Sequence, residues 1–187
     1  MMRSLSICLA LALALASPAL AHTAVEETKF FASGIAHPLH GADHILAMIA
    51  VGLWAALPGG RAIWAWPTAF IAMMLTGFAA ATFALQMPFV ELAIWSSIII
   101  LGLFVALVVK APVSLGAAIA GLFGVFHGHA HGVEAAAASL IPYAVGFSLA
   151  TAGLHATGIA LGLFAKTAIE KIALGDASET ESRRCSR

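Results

Sequence analysis

The sequence predicts an all-α fold, a polytopic transmembrane helical bundle of about five spans once a signal peptide is removed. Three observations carry that prediction. The 187 residues are 61% hydrophobic and only 10% charged. Apolar runs recur at close to the ~20 residues that cross a bilayer core. The polar residues within those runs are gathered rather than scattered: seven of the eight histidines sit in or beside apolar runs. With zero net charge and no basic patch interleaved with aromatics, nucleic acid is excluded as a partner, and membrane lipid is the expected surroundings.

The elements follow in order. Residues 1–21, MMRSLSICLALALALASPALA, join a basic Arg3, a short apolar stretch, the helix breaker Pro18 and the small-x-small pattern Ala19-Leu20-Ala21. That is the pattern of a signal peptide cleaved after Ala21. Cleavage would remove Cys8, leave Cys185 alone and so exclude an internal disulfide. Residues 22–37 form a short periplasmic segment, and residues 38–165 form the transmembrane domain. Its expected spans are Pro38 to Leu57, Ala62 to Leu85, Pro88 to Val109, Pro112 to His131 and Ile141 to Ala165. Pro38, Pro88 and Pro112 fall at expected first-turn positions, where a missing N–H costs nothing. Small residues line one face of the fourth span (Gly116, Ala120, Gly124, Gly128) and one of the fifth (Gly146, Ala150, Gly158, Gly162), which predicts that these two spans pack together. Residues 166–187 read as a cytoplasmic polar tail: a short amphipathic AIEKIAL, then a disordered end.

Basic residues set the orientation. With the mature N-terminus periplasmic and the C-terminus cytoplasmic, Arg61, Lys110, Lys166, Lys171, Arg183, Arg184 and Arg187 lie inside and Lys29 alone lies outside. The expected location is therefore a bacterial inner membrane. This topology brings the start of the first span and the end of the fourth to the same outer face.

That layer holds the chemistry. Imidazoles and carboxylates are costly at membrane depth and mark a cation path. On one continuous helix His37, His40 and His44 would share a face, with Asp43 ligating an ion or holding an imidazole in its tautomer. In FHGHAHGVE, His127 and His131 pair at i,i+4 if the segment is helical; if Gly128 and Gly132 unwind it, all three imidazoles including His129 point one way. Glu134 would add charge, and Glu91 reads as a solvated interfacial residue. His155 lies about 20 Å along the fifth span, on a stripe with Ser148 and Thr151, as a deeper station or a packing histidine. Met48, Met73 and Met74 read as packing residues. Cleavage after Ala21 would expose His22, whose free amine and imidazole together suit Ni(II) or Cu(II). No phosphate-cradling motif is present, so ATP hydrolysis is not expected of the chain.

HPLHGADHILAMIAVGLWAA, HGHAHGVE and LHATGIALG, in that order, resemble the HupE/UreJ family of nickel permeases, associated with hydrogenase and urease maturation. The resemblance spans about His37 to Gly162. It implies a non-enzymatic, ATP-independent carrier with nickel as cargo and no cofactor, and places His37, Asp43, His44, His127, His129, His131, Glu134 and His155 at motif positions. His40 falls where the family has a non-ligand. Relatives carry one more apolar span where this chain has its charged tail, which points to a homo-oligomer; a nickel-accepting chaperone is the other candidate partner. The rival readings are a permease for another divalent metal such as cobalt, and an intramembrane zinc hydrolase using three histidines and an acid.

Overall fold

The computed structural model of the chain describes residues 26–135 and 139–185. The proposed leader and His22 lie outside the described residues. Among the described residues there are six helices and no strand: α1 Glu26–His40, α2 Ala42–Ala56, α3 Ala62–Thr82, α4 Val90–Ala106, α5 Val113–Glu134 and α6 Leu140–Cys185.

Three of these are long and apolar enough to cross a membrane: α3, α5 and the Leu140–Ile169 part of α6. Their outward faces carry large apolar side chains at high exposure, such as Trp64, Leu122 and Ile141. Apolar residues on the outside as well as in the core are what a lipid solvent requires, and the protein is a membrane protein. The other two apolar helices are shorter. The 17 residues of α4 reach about 25 Å at 1.5 Å per residue, less than the ~30 Å hydrocarbon core. The 15 residues of α2 reach span length only together with α1.

The first expected span is not one straight helix. α1 and α2 meet at an 81° bend, with Gly41 between them in an extended conformation and no side-chain cap on α2. Pro38 therefore sits near the C-terminal end of α1 and not in a first turn, and residues 26–37 are helical rather than a loose polar segment. Pro88 and Pro112 do precede helices, with Pro112 the N-cap residue of α5. At the other end, α6 runs on to Cys185 where a disordered tail was the expectation. The segment after Lys166 contains no proline and is rich in Ala, Glu, Lys and Arg, all good helix formers.

The small-residue faces are used, but not between α5 and α6. A Cβ on Gly124 or Gly128 of α5 would collide with the carbonyls of Phe70 or Met74, and one on Gly132 would lie 2.7 Å from the Phe78 oxygen, so α5 packs backbone to backbone on α3. The row on α6 serves the bent pair. Gly146 abuts Phe31 of α1, and Gly158 and Gly162 abut Ile49, Leu53 and Ala56 of α2. A small stripe lets any backbone approach closely and does not name its partner. The resulting core runs through the middle of the bundle as Met48, Val51, Trp54, Trp66, Phe70, Met74, Leu101 and Phe147.

Two helix ends are built alike. α3 ends with Ala84 at φ +57° and a Leu85 N–H donating to the Ala80 carbonyl; α4 ends with Val108 at φ +53° and a Val109 N–H donating to Phe104. Such left-handed caps close a helix and turn the next carbonyl aside. In each case that carbonyl receives a ring N–H: Leu85 from His129 at 2.9 Å, Val109 from Trp54 at 2.8 Å.

Candidate metal site

The bend at Gly41 and the end of α5 assemble the site. α1 delivers His37, α2 starts with Asp43 and His44, and the last turns of α5 deliver His127, His129, His131 and Glu134. His37, His44 and His131 each offer a ring nitrogen, and these three atoms lie within 4.8 Å of one another. The ring centroids are 4.7 Å apart for His37 and His131, 5.0 Å for His44 and His131, and 5.6 Å for His37 and His44. Donors on one ion with ~2.1 Å bonds sit roughly 3.0–3.4 Å apart, so the rings need draw in only a little to share a cation.

Each element of the cluster is held. His131 is fully buried and stacked at 4.7 Å on Phe147 of α6. His44 Nδ1 lies 3.1 Å from Asp43 Oδ1, and His37 Nδ1 lies 3.1 Å from Glu134 Oε2. A carboxylate beside Nδ1 favours the tautomer whose Nε2 carries the free lone pair, the arrangement metal-binding imidazoles use. The His44–Asp43 contact is close but not aligned as a hydrogen bond, so it orients the ring by charge. Asp43 also lies in the first turn of α2, where the helix dipole favours a negative charge.

His127 and His129 are fixed differently. His127 Nδ1–H donates to the Phe123 carbonyl at 3.0 Å and His129 Nε2–H to Leu85, which leaves His127 Nε2 and His129 Nδ1 without a protein partner. Together with His44, His131 and His155, eight buried imidazole nitrogens have no hydrogen-bond partner among the described residues. Leaving a buried polar group unpaired costs about 1–3 kcal/mol, a large sum against the 5–15 kcal/mol typical of a fold. Packing alone does not account for them; a cation, or water in its place, does.

A cavity of about 370 Å³ opens beside the cluster, lined by Asp43, His44, Glu91, Trp95, His129 and Glu134 among others. It brings Glu91 of α4 to the same chamber as the two motif carboxylates. A carboxylate at a helix start is an unremarkable interfacial residue in sequence, and only the placement of α4 against α2 and α5 reveals it. The remaining histidines divide clearly. His40 does not join the cluster: the bend turns it outward, exposed, with Nδ1–H donating to the Ala36 carbonyl at 2.7 Å. His155 is buried one level deeper, its ring 5.1 Å from Phe70. FHGHAHG is helical throughout, so His127 and His131 pair at i,i+4, while Gly128 and Gly132 serve packing against α3 and not unwinding.

No solved structure matches the chain. Protein HupE of Rhizobium leguminosarum bv. viciae is 44% identical over 151 residues, covering 80% of this chain and 78% of that protein. The sequence pattern of the family described as HupE / UreJ protein matches residues 9–178, nearly the whole length, and carries the histidine–carboxylate motifs that build the site. The chain belongs to the HupE/UreJ family.

Proposed function

We propose that this chain is an ATP-independent permease that moves nickel(II) from periplasm to cytoplasm, supplying metalloenzyme maturation. The observation that carries the proposal is the His37–His44–His131 constellation, backed by Asp43 and Glu134 and reached through a carboxylate-lined cavity. Three neutral imidazoles suit late first-row divalent ions, and the family resemblance selects nickel among them. The cavity carboxylates concentrate hydrated cations, and the imidazoles replace part of the hydration shell. The ligands must then release the ion, for which a loose site with spaced donors is better than a closed one.

The direction follows from the charge bias of the loops, which puts the site on the periplasmic side of an inner membrane after removal of the leader. An inside-negative potential then favours uptake by about 2.3 kcal/mol per elementary charge per 100 mV. A cytoplasmic nickel-accepting chaperone is the fitting recipient, and a homo-oligomer the fitting assembly. His22, as a free mature N-terminus, would add a chelating amine at the same face.

Radiolabelled nickel accumulation in cells lacking their own importers tests this, with wild type compared to Asp43→Ala and His44→Ala at matched membrane levels. Uptake lost in both variants is the expected result. Correctly inserted wild type that accumulates no nickel, or that retains zinc and hydrolyses a peptide or ester bond, would overturn it.

A further inference from the structure

The histidines do not stop at the outer cluster. The His127 ring lies 5.2 Å from His44 on one side and 5.3 Å from Phe70 on the other, and Phe70 meets His155 edge to face at 5.1 Å. All of His127, Phe70 and His155 are at most 1% exposed. Successive rings thus lead from the outer cluster into the bundle.

His155 itself is the informative residue. Both of its nitrogens are buried and neither has a hydrogen-bond partner among the described residues. A histidine kept for packing and hydrogen bonding would place at least one nitrogen on a carbonyl, as His127 and His129 do. One turn earlier on α6, the fully buried Thr151 sets its hydroxyl 3.7 Å from the Met74 sulfur. That brings a thioether to the same level of the bundle. Gly52 lets α2 approach closely here, since a Cβ at that position would collide with the His155 carbonyl.

We propose that His155 and the Met74 thioether form a second, inner binding station for the divalent ion, which receives it from His127 past the Phe70 ring. The inference rests on the permease reading for its direction but not for its ligands. An imidazole–thioether pair has no carboxylate, so it holds a cation more weakly than the outer cluster. It also rejects hard ions: magnesium and calcium enter the carboxylate-lined cavity readily, but a nitrogen and sulfur pair favours nickel, cobalt or copper. Selectivity is therefore exercised at the inner station, capture at the outer one.

The test places a spectroscopic ligand at position 155. In the full chain with Cys8→Ser and Cys185→Ser, His155→Cys titrated with Co(II) should develop a thiolate-to-cobalt charge-transfer band that His155→Ser lacks. Adding Met74→Leu should weaken the titration about tenfold, the size seen when a metal site loses one supporting group, whereas Met73→Leu, on the outer surface of α3, should leave it unchanged. His155→Phe fills the same space without a ligand, and should bind nickel at the outer cluster with wild-type affinity while its uptake falls at least tenfold. No cobalt band in His155→Cys, or wild-type uptake by His155→Phe, would overturn the inner station. A band in His155→Cys alongside a wild type that accumulates no nickel would instead sink the permease reading and leave the inner station standing.

Discussion

Replacing Gly128 by alanine tests whether the close approach of α3 and α5 is what holds the metal ligands in place. A Cβ built on Gly128 would lie 2.8 Å from the Met74 Cα and nearer still to the Met74 carbonyl group. Ordinary carbon–carbon contacts are ~3.5–4.0 Å, so the two backbones must part by roughly 0.7–1.2 Å. A carbonyl in a helix cannot swing aside as a flexible side chain can. Overpacking of this kind costs about 1–3 kcal/mol, and the ~1 kcal/mol that alanine gains over glycine in a helix offsets only part of it. The displacement acts on His127 and His131, which flank position 128, against His37 and His44 on the other helices. Nickel affinity should fall about ten- to a hundredfold, as it does when ligands lose their positioning support. The control is Gly153→Ala, where a Cβ meets nothing within 4 Å, and which should be neutral or stabilising. Thermal unfolding and nickel titration of the purified variants read both effects. A Gly128→Ala protein that melts and binds like the wild type would refute the packing argument.

Other changes have separate signatures. His131→Ala should abolish nickel binding, while His40→Ala should leave uptake within about twofold, because His40 is spent on the Ala36 carbonyl; radiolabelled uptake checks both. Glu134→Gln removes the charge beside His37 and should weaken nickel binding several-fold, about the low end of such effects, in the same titration. Trp54→Phe and Trp66→Phe each delete one indole bond, to the Val109 and Val113 carbonyls at 2.8 and 2.9 Å, and should each cost about 1 kcal/mol in unfolding experiments. Val108→Gly relieves a β-branched residue at φ +53° and should stabilise by about 1 kcal/mol. Nickel binding should weaken as pH falls through about 6.5, because protons compete for the imidazole lone pairs, and a pH series of titrations reads the slope.

Much of the site was legible in the sequence because its ligands are local in pattern. The His127–His131 pairing follows from the helical period whatever the tertiary fold, and the shared outer layer follows from alternating spans and the charge bias. The bend at Gly41 was not legible: GAD sits in an apolar stretch that reads as one continuous span, and a single glycine is common within membrane helices. That bend decides which histidines matter, since it brings His37 onto His131 and turns His40 away. Partner choice was equally hidden. Glycine rows on α5 and α6 signal close approach, but their complements on α3, α1 and α2 include residues such as Met74 and Phe31 whose backbones, not side chains, make the contact. Glu91 shows the same limit, because its role depends on where α4 is set down.

The most direct measurement is the anomalous scattering of nickel in crystals of the full chain grown with the ion. The account predicts a nickel peak enclosed by His37, His44 and His131, with Asp43 and Glu134 on the far side of the rings. A nickel peak elsewhere, with those three imidazoles unchanged and unliganded, would contradict it.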